Sequence, residues 1–172
     1  GVGRLGYEHA CNLANRVPEA ELVAVCDGDF DRAKKVGLEL DVPAYQDPKE
    51  LCANPEVEAV AIITNTASHV EMIQIAMDAG KHVFCEKPLA DTVEKCKEAE
   101  KIIESHPELN FMLGFMRRFD YSYRLAKQKI DNGDIGDIIM VRCYSQDPIS
   151  IIEGTLEYAP RSGGQFIDMS IH

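Results

Sequence analysis

The sequence is poor in basic residues, since 18 lysines and arginines stand against 29 aspartates and glutamates, for a net charge of −11. Adjacent basic residues occur only as the pairs Lys34-Lys35 and Arg117-Arg118. This shortage argues against nucleic acid or an anionic membrane as a partner, because both attract a basic patch. It leaves room for a phosphate-bearing cofactor, because backbone amides can hold phosphate without lysine or arginine.

The chain also lacks long apolar runs, a secretory signal and paired cysteine motifs. No apolar stretch approaches the length of a membrane span, so we expect a cytoplasmic protein with no membrane partner. The six cysteines form no C-x-x-C pair and most lie in apolar runs, which favours reduced, buried thiols over disulfides. No Cys/His cluster has ligand spacing, so we expect no metal site.

Short apolar runs alternate with amphipathic segments along the 172 residues, a pattern typical of an α/β fold with a parallel sheet of the Rossmann type. The predicted strands cover residues 21–26, 57–64, 82–85, 110–115 and 137–145. The predicted helices begin near residues 5, 31, 70, 93 and 121, and glycines at 80 and 133 end two of them. Residues 146–164 have little periodicity and are predicted to form a loop.

The pattern changes after about residue 115, which predicts a domain boundary near residue 116. The sequence at both ends of the chain predicts truncation. The chain opens on Gly1 with no strand before it, and closes on His172 in the first turns of an expected helix. We therefore expect domain 1–116 to lack its first strand, residues 117–172 to be the truncated start of an α/β domain with an open sheet, and the chain to be a fragment.

The chain begins with a G-x-G-x-x-G motif formed by Gly1, Gly3 and Gly6, with Arg4 and Leu5 inside it. Asp27 follows the predicted strand 21–26 and lies 21 residues after Gly6, near the spacing expected for the carboxylate that binds the adenosine ribose of a dinucleotide. That carboxylate repels a 2′-phosphate and so favours NAD over NADP. The alternative is an ordinary glycine turn followed by a solvated aspartate.

Two further sets of residues could carry chemistry. Glu86-Lys87-Pro88 follows a predicted strand, at the sheet edge where such folds bind ligands, although a solvated charge pair has the same pattern. Asp168 and His172 are four residues apart and would share one helix face, which suits a carboxylate that orients a proton-accepting imidazole. Helix capping or a surface pair explains the same spacing.

These motifs occur in one order and are joined by two others, Gly-Phe-Met-Arg-Arg-Phe-Asp at residues 114–120 and Ser-Gly-Gly-Gln-Phe-Ile-Asp at 162–168. Together they resemble the Gfo/Idh/MocA family of NAD(P)-dependent sugar and polyol oxidoreductases, and most closely its inositol dehydrogenase branch. The resemblance spans the whole chain. It implies a Rossmann domain over 1–116, a substrate domain from 117, NAD as cofactor and a homo-oligomer.

The resemblance also implies residue roles. Lys87, Asp168 and His172 match the family's catalytic set, and Arg117 and Asp147 fall where family members touch the substrate or the nicotinamide end. Besides the glycine-loop residues, Asp27 and Arg117, the implied cofactor contacts are Thr64, Asn65, His69, Glu86 and Lys87. Thr64-Asn65-Thr66 departs from the family's usual Ser/Thr-Pro-Asn, and His69 has the alternative of a helix-terminal residue without a ligand.

The sequence therefore predicts reversible oxidation of a secondary hydroxyl of a cyclic polyol or sugar. His172 would accept the hydroxyl proton, Asp168 would hold the imidazole, and Lys87 would stabilise negative charge on the substrate oxygen. Two rival readings stay open. One is a noncatalytic NAD(P)-binding sensor, and the other is an inert fragment of such an enzyme.

Overall fold

A computed structural model describes residues 1–144, 146, 148–151 and 156 of the chain. The chain divides into two compact units, Gly1–Leu113 and a second that begins at Gly114. The first unit alternates helices and strands in the order α1 (Arg4–Asn15), β1 (Val25–Cys26), α2 (Phe30–Leu40), β2 (Ala44–Tyr45), α3 (Pro48–Ala53), β3 (Ala59–Ile62), α4 (His69–Asp78), β4 (His82–Cys85), α5 (Val93–Glu104) and β5 (Phe111–Leu113). The described part of the second unit contains α6 (Tyr121–Asp131).

The strands of the first unit pair in parallel. β1 pairs with β2, and β3, β4 and β5 form a second sheet in that order. In the larger sheet Ile62, Cys85 and Leu113 lie in register, so β3, β4 and β5 end at the same edge. The residues that follow these strands are thus brought to one edge, where ligands bind in open parallel sheets.

Local sequence explains where several helices begin and end. The side chain of Asp29 accepts a hydrogen bond from the Arg32 amide and caps α2, and Thr92 does the same for α5 through the Lys95 amide. Gly80, with a φ of 71°, follows α4 in the left-handed conformation that glycine adopts without strain. The end of α4 at Gly80 was predicted from the sequence and is confirmed, and of the two cap candidates for α5, Asp91 and Thr92, the structure has Thr92; the Asp29 cap of α2 was not predicted.

The core of the first unit consists of two clusters. The larger lies between α4 and the sheet of β3 to β5 and includes the fully buried Ile73 and Met77. The smaller joins α1 and α2 to β1 through Ala10, Val25 and Val36. Burial of each large side chain contributes about 1.5–3 kcal/mol, so these clusters hold the helices against the strand ends that form the candidate site.

The sequence prediction was wrong for several elements. Only residues 25–26 of the predicted strand 21–26 form β1, because the partner β2 has two residues and Pro43 before it has no amide proton. β2 and α3 were missed, although Asp47 and Pro48 are a cap and first-turn signal for α3. Residues 137–144 form no strand, since nothing in the described residues pairs with them.

In the second unit Asp120 is the N-cap residue of α6, and its side chain accepts hydrogen bonds from the amides of Ser122 and Tyr123. It ends before Gly133, which has a φ of 77°. Within the described ranges, no helix is both long and apolar enough to cross a membrane. Of the predicted loop 146–164, only residues 146, 148–151 and 156 are described, and the helix predicted at the end of the chain lies outside the described residues.

Candidate dinucleotide site and lysine turn

The glycines of the opening loop meet different surroundings. A Cβ atom on Gly6 would lie 2.0 Å from the carbonyl oxygen of Gly1, and one on Gly1 would lie 2.8 Å from that of Ile63. These two positions are packed so closely that only glycine fits. A Cβ on Gly3 would meet no atom within 4 Å, so the space beside Gly3 is open to an approaching ligand.

The start of helix α1 supplies unused amide donors. Gly3 is its N-cap residue and offers no side chain to cap the first turn, and that turn has no acidic residue. The Gly3 carbonyl already accepts from the Tyr7 amide at 2.8 Å, so the first turn is formed. First-turn amides and the helix dipole together suit an anionic group, and the open side of Gly3 gives a pyrophosphate access to them. The loop therefore fits a dinucleotide.

Asp27 lies at the end of β1, and its carboxylate is held by backbone amides. Oδ2 accepts from the Val2 amide at 2.8 Å, and Oδ1 accepts from the Asp29 amide at 2.9 Å. Burial would raise the pKa of this carboxyl, but these hydrogen bonds and the Arg32 guanidinium outweigh it and lower the pKa. Asp27 is therefore a carboxylate at neutral pH, beside the glycine loop, as a ribose-binding group must be.

Arg32 bridges two carboxylates. Its guanidinium lies 3.2 Å from Asp27 Oδ2 and 3.1 Å from Asp29 Oδ2. The Arg32 and Asp29 side chains are each about half exposed, at 47% and 51%, whereas Asp27 is 10% exposed. The pairing of Arg32 with two carboxylates leaves little positive charge for a 2′-phosphate, which is consistent with NAD as the preferred cofactor.

The predicted Glu86-Lys87-Pro88 segment forms a turn after β4, here called the lysine turn. The Glu86 amide donates to the Ile62 carbonyl at 2.9 Å, which extends the pairing of β4 with β3 by one bond. Glu86 Oε2 accepts from the Lys87 amide at 3.1 Å, and Oε1 lies 3.1 Å from His9 Nε2. Burial would raise the pKa of Glu86, but the hydrogen bonds from His9 and the Lys87 amide lower it. Lys87 itself is half-buried.

His69 is buried at the start of α4, with a side chain that contacts protein on both sides. Its Nδ1 lies 2.8 Å from the Pro88 carbonyl oxygen, and its Nε2 lies 3.3 Å from that of Thr64. Because both ring nitrogens face protein carbonyls, the geometry favours an indirect role, in which His69 holds the loop after β3 against the lysine turn. Direct cofactor contact by His69 stays a prediction.

Thr64 and Asn65 follow β3 in a loop braced by Ser68. The Ser68 hydroxyl lies 2.8 Å from Thr64 Oγ1 and 2.9 Å from the Asn65 carbonyl oxygen. The Thr64 side chain also lies beside Gly1, where an added Cβ would be 3.2 Å from Thr64 Cγ2. Asn65 is exposed. The loop after β3 is therefore a wall of the glycine loop, as expected of a cofactor-binding segment.

The structure brings together the predicted residues of the first unit through a chain of contacts. The glycine loop contacts Asp27 and the loop of Thr64, α1 contacts Glu86, and His69 contacts both Thr64 and Pro88. Arg117 belongs to the second unit, where its guanidinium lies 5.3 Å from the centre of the Tyr123 ring. Asp147, Asp168 and His172 lie outside the described residues.

Sequence reasoning missed His9, which contacts Glu86 across 77 positions of the chain. The available signal was its place on α1 three residues after Gly6, on the same helix as the glycine loop. That spacing does not reveal a partner as distant as Glu86. Within the residues that are described, no group of three or more histidine, cysteine, aspartate or glutamate side chains is arranged to hold a metal ion.

Parallel strands, an uncapped glycine-loop helix and a carboxylate at the end of the next strand define a dinucleotide-binding domain of the Rossmann class. Comparison with known proteins narrows this class. Residues 1–115 match the model of the oxidoreductase family with an NAD-binding Rossmann fold that is named for Gfo, Idh and MocA. The chain belongs to this family, and the fold, the family and its NAD cofactor predicted from the sequence are confirmed.

Curated relatives match the whole chain. It is 43% identical over 176 residues to a protein of Bacillus subtilis (strain 168) named scyllo-inositol 2-dehydrogenase (NAD(+)), and it covers 49% of that protein. It is 38% identical over 175 residues to a protein of Thermotoga maritima named myo-inositol 2-dehydrogenase, of which it covers 50%. The chain thus spans about half the length of these relatives.

Similar solved structures are also named as inositol dehydrogenases. The chain superposes with a TM-score of 0.92 and 44% identity on myo-inositol 2-dehydrogenase from Lactobacillus plantarum, matching all of this chain and 52% of that one. The TM-score is also 0.92, with 40% identity and the same coverage, for scyllo-inositol dehydrogenase from Lactobacillus casei with bound NAD(H) and scyllo-inositol. The similarity therefore includes a relative whose structure holds both a nicotinamide cofactor and a cyclic polyol.

Proposed function

We propose that the protein containing this chain is an NAD-dependent dehydrogenase that oxidises a secondary hydroxyl of a cyclic polyol, with an inositol as substrate. The observation that carries the proposal is the contact between α1 and the lysine turn. His9 of α1 reaches Glu86, so the helix that begins at the dinucleotide loop is joined to the residue before Lys87. A cofactor site and a candidate catalytic lysine therefore belong to one compact unit.

The first unit is proposed to bind the cofactor. The first-turn amides of α1 and the open side of Gly3 would hold the pyrophosphate, with Arg4 and Leu5 in the same turn, and Asp27 would accept hydrogen bonds from the ribose hydroxyls. The residues proposed to line the nicotinamide end are Thr64, Asn65, His69, Glu86, Lys87 and Arg117. Bound NAD supplies the hydride acceptor for this chemistry.

The chemical roles follow from the residue types. The Lys87 ammonium would donate a hydrogen bond to the substrate oxygen and stabilise negative charge on it. His172 would accept the hydroxyl proton, and Asp168 would hold the imidazole and stabilise its charged form. Arg117 and Asp147 would contact the substrate. Because polyols are neutral, the acidic net charge of −11 is compatible with this substrate class.

The proposal includes a division of labour, with residues 1–116 as the NAD-binding domain and residues from 117 as part of the substrate domain. A cytoplasmic location and a homo-oligomeric assembly belong to the same proposal. They agree with the place of most cysteines in apolar runs, which favours reduced thiols, and with the family resemblance. The preferred cofactor is NAD rather than NADP, because Asp27 is a partly buried carboxylate beside the loop.

The test is a panel of inositols, glucose and other cyclic sugars with NAD and with NADP, using the complete protein that contains this chain and following the absorbance of reduced nicotinamide. We expect reduction of NAD by at least one inositol. Lys87→Met should lower turnover about 10²–10³-fold, because it removes the group that stabilises the developing charge. Binding of NAD without reduction by any polyol would favour a noncatalytic sensor, and near-normal turnover of Lys87→Met would exclude the assigned role of Lys87.

A further inference from the structure

His9 and Glu86 form a side-chain pair between α1 and the end of β4. Their side chains are 29% and 16% exposed, and the His9 Nε2 to Glu86 Oε1 distance is 3.1 Å. The His9 ring also packs against Phe84 of β4, with ring centroids 5.7 Å apart and the planes tilted by 47°. His9 is thus held by a polar and an aromatic contact, both with the segment that leads into the lysine turn.

The Glu86 carboxylate connects His9 to the backbone of Lys87. One oxygen faces His9 Nε2, and the other accepts from the Lys87 amide at 3.1 Å. The Glu86 backbone is fixed in turn by its hydrogen bond to Ile62. With the backbone fixed, the remaining freedom of Glu86 is rotation of its side chain, and His9 restricts that rotation.

The charges on this pair define which atom carries the proton. Burial would raise the pKa of Glu86, but hydrogen bonds from His9 and the Lys87 amide lower it, so Glu86 is a carboxylate at neutral pH. A carboxylate only accepts hydrogen bonds, so His9 Nε2 must donate. A hydrogen bond to a charged, partly buried acceptor is stronger than one between neutral groups, which suits a fixed geometry.

We propose that His9 is a positioning residue for the proposed dehydrogenase: by donating to Glu86 it fixes the turn that carries Lys87. This inference rests on the proposed function for its catalytic consequence. The position of Lys87 is itself measurable without turnover. Loss of the His9 donor leaves the Glu86 carboxylate with one partner fewer, so the carboxylate turns towards water and the Lys87 backbone loses its hydrogen bond.

Four variants of the complete protein test the inference. His9→Ala removes the donor, and His9→Gln keeps an amide N–H that can reach the same oxygen. Glu86→Gln keeps the shape of the acceptor but not its charge, and it also covers the case in which His9→Ala fails to fold. Glu8→Ala is the matched control, because Glu8 is the exposed neighbour of His9 on α1.

The first readout is the ¹³C resonance of Lys87 after reductive methylation, assigned with Lys87→Arg. We expect this resonance to move in His9→Ala and Glu86→Gln, to stay near its wild-type position in His9→Gln, and not to move in Glu8→Ala. An unmoved Lys87 resonance in both His9→Ala and Glu86→Gln would overturn the inference, whether or not the protein oxidises polyols.

The second readout separates positioning from binding. We expect His9→Ala to lower kcat with an inositol about 10–100-fold, as observed when partners that orient a functional group are removed, and to change the Kd for NADH by less than about threefold. His9→Gln should recover most of the loss. If wild-type protein oxidises no polyol while the Lys87 resonance responds as expected, the proposed function fails and the positioning role of His9 stands.

Discussion

Two carboxylates, Asp27 and Glu86, follow parallel strands in the first unit, and both have a lowered pKa. Each accepts one amide from a neighbouring position of the chain, Asp27 from Asp29 and Glu86 from Lys87. They differ in what completes the site. Asp27 receives a second backbone amide, from Val2 of the glycine loop, whereas Glu86 receives the side chain of His9.

This difference explains why the sequence predicts Asp27 beside the glycine loop but does not reveal the contact between Glu86 and His9. Two partners of Asp27 are backbone amides, one of them from the glycine motif, and the half-exposed Arg32 guanidinium adds a side-chain contact. The bond from the glycine motif depends on motif spacing and not on the identity of Val2. The partner of Glu86 is a specific side chain 77 residues away. A site formed by backbone groups tolerates most side-chain substitutions but few substitutions of its glycines. A site formed by side chains is lost when one of those side chains is replaced.

The largest expected loss of stability comes from Gly6→Ala, in the glycine loop, where backbone groups hold Asp27. The new Cβ would lie 2.0 Å from the Gly1 carbonyl oxygen, a backbone atom that cannot move without shifting the loop. We expect the free energy of unfolding to fall by about 3 kcal/mol, at the upper end of the cost of overpacking. Urea denaturation of this chain, followed by circular dichroism, measures it.

Gly3→Ala is the matched control, because its Cβ meets nothing within 4 Å and its φ of −65° suits alanine. We expect its free energy of unfolding to lie within about 1 kcal/mol of wild type, and its affinity for NADH to fall because the methyl group occupies the open side of the loop. Equal stability losses in the two variants would contradict the separate packing and access roles of these glycines.

The second largest loss of stability is expected from His69→Phe, beside the lysine turn, where side chains make the contacts. Phenylalanine keeps a ring in the buried site but has no N–H, so whichever of the Pro88 and Thr64 carbonyls accepts from His69 loses that hydrogen bond. An unsatisfied buried polar group costs about 1–3 kcal/mol, so we expect a loss of about 2 kcal/mol in the same urea experiment.

The control for His69→Phe is His106→Phe. His106 is 21% exposed, and the Ile102 carbonyl that it contacts lies within α5. We expect a loss of less than about 1 kcal/mol. A His69→Phe protein as stable as wild type would show that His69 does not hold the loop after β3 to the lysine turn.

The same contrast shows how much of the site could be predicted from the sequence. The glycine loop, Asp27 and the place of Lys87 after a strand followed from spacing and alternation, because backbone geometry fixes them. The two-residue strand β2 could not be predicted, since no apolar run marks it, and α3 was missed despite its Asp47-Pro48 signal. The bonds of His9 and His69 could not be predicted, because they depend on tertiary packing across 77 and 19 positions.

A smaller effect is expected from Asp27→Asn, and it depends on pH. Because folding lowers the pKa of Asp27, its carboxylate stabilises the fold fully above its unfolded pKa of about 3.9, and this contribution is lost as pH falls through the folded pKa. Asparagine can accept from only one of the two amides through its oxygen. We expect a loss of about 1–2 kcal/mol at pH 7.

The difference between wild type and Asp27→Asn should begin to shrink below about pH 4, where the unfolded carboxylate takes up a proton. It should reach its minimum only below the lower folded pKa, where the folded wild-type carboxylate is neutral as well. Urea midpoints measured at several pH values between neutral and acidic test this. A difference that grows on acidification would mean that folding raises the pKa of Asp27. Asp27 and Glu86 would then no longer share a pKa lowered by folding.

The smallest effect is expected from Arg32→Gln, which tests whether the backbone alone holds Asp27. The Arg32 side chain is 47% exposed, so solvent screens its attraction for Asp27 and Asp29. Exposed ion pairs contribute about 0–1 kcal/mol, and we expect a loss in that range that diminishes further in concentrated salt. A loss above about 2 kcal/mol that salt does not reduce would mean that Asp27, like Glu86, depends on a side chain for its position, and the contrast between the two regions would disappear.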